Sequence, residues 1–396
     1  MKKKIIIITP NFYPENFPIN NIANILSKDY EIEVLTNLPS YRINKFYEGY
    51  NIFGPYKEEK NSIRIFRVFT FPRLSDKKIF ILFHYVVYFI SMLLFCFFYF
   101  LKNRNKINYI LTYSLSPTFT ALFGILGSKI SGTKHFNWVQ DIWPEAIISS
   151  SNKKKSIIYE IIKIFQEYLF DKSELIAQSI SMKNYFEKKY KKKIYQLNNI
   201  PRNLFQDNQI KKNNINGKIT FSYFGNIGKA QRLDYFLDLF MKIESENFEV
   251  NIFGSGSEKK ELMNKYTSKK IKWHGYLNER SILDEYNKTN YFLLPIEATG
   301  RQKYILPGKF SSYLFFCRPI IGFSNRDSVL EEYIKNNKLG EFIDIGAEVK
   351  INTRIIKNLL NNNIDYYETH YANAKNFYIK NFSTSSITKQ IKKIFI

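Results

Sequence analysis

The segment Val139-Gln140-Asp141-Ile142-Trp143-Pro144-Glu145 places two carboxylates and an indole at the end of a short apolar run. Such acids can accept a proton or hold the hydroxyls of a polar substrate. Lys134–Val139 reads as a β-strand, and Pro144 suits the turn or first helical position after it. Ligands of parallel α/β sheets bind beyond the carboxyl ends of the strands, which favours chemistry at Asp141 and Glu145. An equally simple reading makes Asp141 a helix cap with Trp143 packed beneath it.

A second group of residues suits an anion. Ile219–Phe224 reads as a strand, followed by Gly225-Asn226-Ile227-Gly228-Lys229-Ala230-Gln231 and a helix over 233–243. Glycines between strand and helix let the backbone approach a ligand, and a helix start offers N–H groups to phosphate. The loop is neither a P-loop nor a complete dinucleotide fingerprint, so a tight turn that needs glycine explains it equally well. Phe253-Gly254-Ser255-Gly256 repeats the theme one strand later. Lys309, in Leu306-Pro307-Gly308-Lys309-Phe310, opens another helix where its charge opposes the dipole. A bound anion accounts for that placement, and so does plain solvent exposure. Arg301, in the preceding loop, is close enough in sequence to reach the same anion. Three such loops in one half point to a nucleotide-diphosphate ligand.

The elements that must position these residues alternate along the chain. Strands are expected at Lys4–Thr9, Glu31–Thr36, Ile63–Thr70, Tyr109–Tyr113, His135–Val139 and Leu175–Gln178. Helices are expected at 15–29, Ile157–Phe170 and Met182–Tyr190. After a polar stretch the alternation restarts, with strands at Ile219–Phe224, Phe248–Phe253, Ile271–His274, Tyr291–Pro295 and Pro319–Phe323. This is the signature of α/β domains, and 396 residues suit two of them. The expected division is a Rossmann-like domain over 1–200, a linker over 201–217 and a second Rossmann-like domain over 218–382, with a cleft between the two. A C-terminal helix over 383–396 is placed to cross back.

Composition narrows the partners. The formal charge of +24 favours an anionic one. No zinc spacing, helix-turn-helix or RNP-like motif supports nucleic acid, and the lysine runs at 2–4, 153–155 and 191–193 are scattered. Cys96 and Cys317 form neither a disulfide framework nor a metal cluster, which suits a reducing compartment, and the four histidines lack ligand spacing. Ile79–Leu101 is uncharged and long enough to span a bilayer, with the basic flank Lys102-Asn103-Arg104-Asn105-Lys106. Strands of one expected sheet lie on both sides of it, so a single crossing would separate hydrogen-bonded partners. A helix in the membrane interface is the favoured reading, with a buried core helix as the alternative.

In order and spacing, several segments resemble the family 4 glycosyltransferases of the GT-B fold, closest to WbuB-like and WcaI-like enzymes of bacterial O-antigen and capsule assembly. They are Tyr13-Pro14-Glu15, the stretch 35–41 with Tyr47-Glu48-Gly49-Tyr50, and Asp141-Ile142-Trp143-Pro144-Glu145. In the second half they are the 223–231 loop, Gly254-Ser255-Gly256, and Pro307-Gly308-Lys309 with Arg318-Pro319-Ile320-Ile321.

The resemblance implies a retaining transfer without metal or other cofactor, from a UDP- or GDP-sugar to a polyprenyl-diphosphate-linked glycan. The protein would sit peripherally or monotopically on the anionic cytoplasmic face of the bacterial inner membrane. By it, Gly225 and Gly228 approach the donor diphosphate, Lys309 neutralises it, and Gly254 and Gly256 line the base site; Asn226, Lys229 and Arg301 are expected to bind the donor as well. Asp141 and Glu145 face the reacting sugar, with Glu15 and Trp143 on the acceptor side. The pattern departs at the usual Glu-x7-Glu pair, which falls on Tyr304 and Ser312, and in the first loop, where Asn16-Phe17-Pro18-Ile19-Asn20-Asn21 lacks the usual glycines. A nucleotide-sugar 2-epimerase-like enzyme and a non-catalytic scaffold of a polysaccharide complex are the alternatives on the same fold.

Overall fold

The computed structural model describes residues 2–41, 44–72, 78–116, 118–142, 157–201, 210, 217–361 and 364–395. These residues fall into two compact units, the first ending near residue 202 and reclaiming residues 387–396, the second running from there to 386. Trp143, Pro144, Glu145 and most of the expected linker lie outside the described residues.

The first unit is built on an eight-stranded sheet in the order β3-β4-β2-β1-β5-β6-β7-β8. Its strands are β1 Lys4–Ile8, β2 Glu31–Asn37, β3 Lys57–Lys60, β4 Ile63–Val68, β5 Tyr109–Ser114, β6 Lys134–Val139, β7 Glu174–Ala177 and β8 Tyr195–Gln196. All pair in parallel except the edge strand β3. Every residue of β1 is buried, as a central strand covered on both faces requires. Its side chains alternate between two cores. Ile5 and Ile7 pack with Ile22 and Leu26 of α1 (Pro18–Leu26), whereas Ile6 and Ile8 pack with Tyr88 and Met92 of α2 (Lys78–Asn103). Strand β3, Lys-Glu-Glu-Lys, has no apolar alternation to reveal it and forms only as the charged edge partner of β4.

Helix α1 starts at Pro18, later than expected, because Glu15 is drawn into the interior and the proline supplies the first helical turn. Helix α3 (Thr120–Ser131) lies close to both the sheet and α2. A Cβ on Gly124 would fall 2.2 Å from His135 Nε2, and one on Gly127 would fall 2.5 Å from the Phe100 ring. Helix α4 (Ile157–Asp171) packs beside α3 through Leu169. The chain end returns here. Ile387, Ile391, Ile394 and Phe395 enter the α1-side core, and the Tyr30 hydroxyl donates to the Phe395 carbonyl at 2.6 Å.

Helix α2 joins β4 to β5, and both belong to one sheet, so the chain leaves and re-enters the same layer. Its residues sort into opposite stripes. His84, Tyr88, Met92, Cys96 and Phe100, spaced by four, are buried. Leu82, Phe83, Val86, Ile90, Leu94, Phe98 and Leu101 face outward, and from Phe83 onward they recur every three or four residues, the spacing of one helix face.

The second unit holds a six-stranded parallel sheet in the order β11-β10-β9-β12-β13-β14. Its strands are β9 Ile219–Phe224, β10 Phe248–Phe253, β11 Ile271–Trp273, β12 Tyr291–Pro295, β13 Ile320–Ser324 and β14 Gly340–Asp344. In both sheets the strand order reverses at the first strand of the unit, β1 and β9. A doubly wound sheet binds its ligand at the carboxyl end of such a switch point.

Candidate active site

In the first unit the loops after β1, β2, β5 and β6 enclose a cavity of about 280 Å³ at the carboxyl ends of the strands. Asn11, Glu15, His84, Tyr85, Ser116 and Asp141 are among the residues lining it. Glu15 and Asp141, far apart in sequence, therefore share one cavity.

Asp141 is tied to the neighbouring strand end. The Ser116 backbone N–H donates to its Oδ2 at 3.0 Å and the Ser116 hydroxyl at 2.8 Å. Burial pushes the Asp141 carboxyl above its ordinary range, and the two Ser116 bonds moderate the rise. Among its described contacts, Asp141 braces the β5 and β6 loops against each other.

Glu15 is almost fully buried and accepts three hydrogen bonds, from Asn11 Nδ2 at 2.8 Å and from the Ser40 and Tyr41 backbone N–H groups at 2.8 and 2.7 Å. Burial raises its pKa, against the pull of those donors and of Arg67. Glu15 thus fastens the β2 loop over the β1 loop. Buried Arg67 supports the same corner, donating to the Asn37 carbonyl at 2.9 Å and to Glu58 on the edge strand.

Three cavity residues come from the apolar helix rather than from a strand-end loop. His84, Tyr85 and Tyr88 all belong to α2. His84 Nδ1 donates to the Phe71 carbonyl, which fixes the orientation of the ring. The available signal was the lone histidine interrupting an apolar run.

In the second unit the glycine loops after β9 and β10 are zipped together. The Gly225 N–H donates to the Phe253 carbonyl at 2.8 Å and the Ile227 N–H to the Ser255 carbonyl at 2.9 Å. A Cβ on Gly254 would lie 1.9 Å from the Gly225 carbonyl oxygen, and one on Gly256 would lie 2.1 Å from that of Ile227. Close backbone approach therefore accounts for glycine at both positions. The 3₁₀ turn Lys229–Gln231 separates the β9 loop from the helix Leu233–Met241, so the strand does not feed the helix directly. The Gly228 N–H is also engaged, at 3.2 Å from Gln231 Oε1. Asn226 and Lys229 are exposed on this loop.

With three loop N–H groups occupied internally, the positive charge comes from a side chain. Lys309 opens the helix Lys309–Phe315, and its ammonium lies 3.8 Å from the centre of the Tyr223 ring. Its Nζ is 2.8 Å from where a Gly225 Cβ would be, so the lysine occupies the room that glycine leaves. Arg301 is half-buried in the 3₁₀ turn Gly300–Tyr304. Tyr304 ends that turn, and Ser312 is buried within the Lys309 helix. Glu297, not singled out from the sequence, donates its N–H to the Ala230 carbonyl at 2.9 Å and pairs with Arg232 at 3.5 Å, joining the β12 loop to the β9 loop.

The fold is that of the GT-B glycosyltransferases, two Rossmann-like units in one chain. Sucrose-phosphate synthase from Thermosynechococcus elongatus superposes with a TM-score of 0.72 at 10% identity, covering 100% of this chain and 98% of the other. HepE from Anabaena, solved in complex with UDP and glucose, gives 0.65 at 11% identity with 99% of each chain covered. WaaG, a glycosyltransferase involved in lipopolysaccharide biosynthesis, gives 0.64 at 12% identity with 99% of each chain covered. No protein-family model and no curated protein sequence matches the chain.

Proposed function

We propose that this protein is a nucleotide-sugar-dependent glycosyltransferase that extends a polyprenyl-diphosphate-linked glycan for a bacterial surface polysaccharide, at the cytoplasmic face of the inner membrane. The observation that carries the reading is the double use of α2. One end lends His84, Tyr85 and Tyr88 to the cavity of Asp141 and Glu15, while the outer stripe offers an apolar face. An acceptor with a sugar head and a lipid tail needs both at once.

The donor is assigned to the second unit. Of the two nucleotides considered, UDP is favoured over GDP because HepE was solved with UDP. Lys309 faces the diphosphate, whose charge grows as the anomeric carbon–oxygen bond breaks. A cation fixed there stabilises the transition state more than the ground state. Gly225 and Gly228 are assigned to the diphosphate, Gly254 and Gly256 to the base, and Asn226, Lys229 and Arg301 to the same donor site. The reaction is retaining and needs no metal. The acceptor hydroxyl attacks the anomeric carbon, and Asp141 serves as base or as the group that orients the sugar. Glu145 is assigned to the reacting sugar beside Asp141, and Trp143 to the acceptor side with Glu15.

Purified protein incubated with bacterial membranes and radiolabelled nucleotide sugars is expected to label the lipid fraction. Labelling with none of the common donors would count against the reading. Sugar interconversion without acceptor would indicate an epimerase, and absence of nucleotide binding by calorimetry would indicate a scaffold.

Asp141→Asn is expected to lower turnover by roughly 10²–10⁴-fold, the range for a group acting in proton transfer. Because burial raises the Asp141 pKa, the carboxylate is lost as pH falls through a value above the ordinary aspartate range. Wild-type rate should therefore decline on the acid side earlier than an exposed aspartate would allow. An unchanged acid limb in the asparagine variant would assign that limb to another group.

A further inference from the structure

The first unit carries a second cavity, of about 540 Å³, among the starts of β1, β2 and β4 and the end of α2, at the opposite edge of the sheet from Asp141. Five cations line it, Lys4, Lys57, Arg64, Lys102 and Lys106, against the single carboxylate Glu33. Glu33 is already satisfied by Lys4 at 3.0 Å, by Arg64 and by the Tyr99 hydroxyl, and the adjacent Glu31 pairs with the same Lys4 and Arg64. That leaves Lys57, Lys102 and Lys106 as surplus charge. Among the described residues none of the three forms an ion pair, and Lys57 only overlies the Phe66 ring, at 5.8 Å.

The surplus adjoins apolar surface. Phe98, which also lines this cavity, is 65% exposed and belongs to the outer stripe of α2 with Ile90, Leu94 and Leu101. On the same side of the sheet, beyond α3, helix α4 adds Ile157, Ile161, Ile164 and Phe165. Apolar faces of this extent on a charged protein mark an interaction surface. Lysines at the rim of such a face keep their stems in apolar contact while their ammonium groups reach a polar layer.

We infer that the cavity beside Lys57, Lys102 and Lys106 binds the phosphate headgroup of an anionic phospholipid, while the outer stripes of α2 and α4 lie among the acyl chains. The occupant is a lipid surface because the surplus cations, from β3, the end of α2 and the turn Arg104–Lys106, gather beside the bare apolar stripe of α2, as headgroup and acyl layers adjoin in a bilayer leaflet. The inference rests on the membrane-seated reading of the first unit, and it gives that unit an anion site at the other end of its sheet from the Asp141 cavity.

The test is flotation of the full chain with phosphatidylcholine vesicles, with and without phosphatidylglycerol. Wild-type protein is expected to bind both and to prefer the anionic ones by at least roughly tenfold. The double variant Lys102→Glu/Lys106→Glu should lose that preference while still binding neutral vesicles. Lys260→Glu/Lys350→Glu, an equal charge change on exposed positions of the second unit, should keep it.

Equal loss in both double variants would reduce the effect to net charge and overturn the site. An intact preference in the Lys102/Lys106 variant would overturn it as well. Inorganic phosphate that abolishes the preference at constant ionic strength would assign the cavity to free phosphate instead. Binding to neither vesicle would remove the membrane seat itself, whereas a wild-type protein that binds both equally would remove the headgroup site alone.

Discussion

Lys309→Ala is expected to weaken nucleotide-sugar binding and to lower kcat/KM by roughly 10²–10³-fold, the cost of losing one fixed group that stabilises developing negative charge. The geometry concentrates the effect on this side chain. The N–H groups of Gly225, Ile227 and Gly228 are spent inside the two glycine loops, so the backbone there has less to offer an anion than the sequence implied. Lys309 fills the room above Gly225 and rests on the Tyr223 ring.

Removing a largely desolvated ammonium gives up a cation–π contact of about 0.5–2 kcal/mol but also relieves a desolvation penalty, so stability should move little. Calorimetry with UDP and GDP, beside a thermal melt, separates binding from folding. Lys309→Arg should restore part of the affinity, limited by the larger guanidinium against Tyr223. Donor affinity unchanged in the alanine variant would remove Lys309 from the site.

Gly254→Ala is expected to be the most destabilising of these changes. Gly254 sits at φ +134°, where L side chains are strained, and its Cβ would meet the Gly225 carbonyl oxygen at 1.9 Å. That oxygen is backbone in a loop held by the Gly225 and Ile227 hydrogen bonds, so relief requires the two loops to part. Backbone strain of about 1–3 kcal/mol and overpacking of about 1–3 kcal/mol combine here. The melting transition of the second unit should fall by roughly 10 °C.

Gly228→Ala is the matched contrast. Its backbone is extended, at φ −134°, and its Cβ would crowd the ends of the Asn226 and Gln231 side chains, at 2.8 and 3.1 Å, with Ser257 Oγ at an ordinary 3.9 Å. Those ends can rotate away, so a loss below about 1 kcal/mol is expected. Equal melting of the two variants would show that the loops are not locked together as described.

Much of the architecture was legible because its determinants are local. β1 and β12 are nearly continuous apolar runs, which reveal strands buried on both faces, and β9 and β10 show apolar residues in alternation with polar ones. β3 was illegible for the opposite reason, since a charged edge strand owes its existence to its partner. Glu15 was noticed as an acid but misplaced into a helix. Only the folded chain brings Asn11, Ser40 and Tyr41 to its carboxylate. Gly254 and Gly256 were read as room for a ligand, whereas the room they leave is taken by the adjacent loop.

By itself the sequence determined the alternating elements, the glycines and Lys309 at the strand ends, and an apolar segment with a basic end. Each follows from residue type and period, which act over a few neighbours. Tertiary structure alone decided which of these meet. It set Lys309 above Gly225, joined Asp141 to Ser116 across two strands, and turned α2 so that every fourth residue is buried and the opposite face is bare. The reason is physical. Such contacts join residues tens of positions apart, and parallel pairing with close packing is what brings them within hydrogen-bond reach.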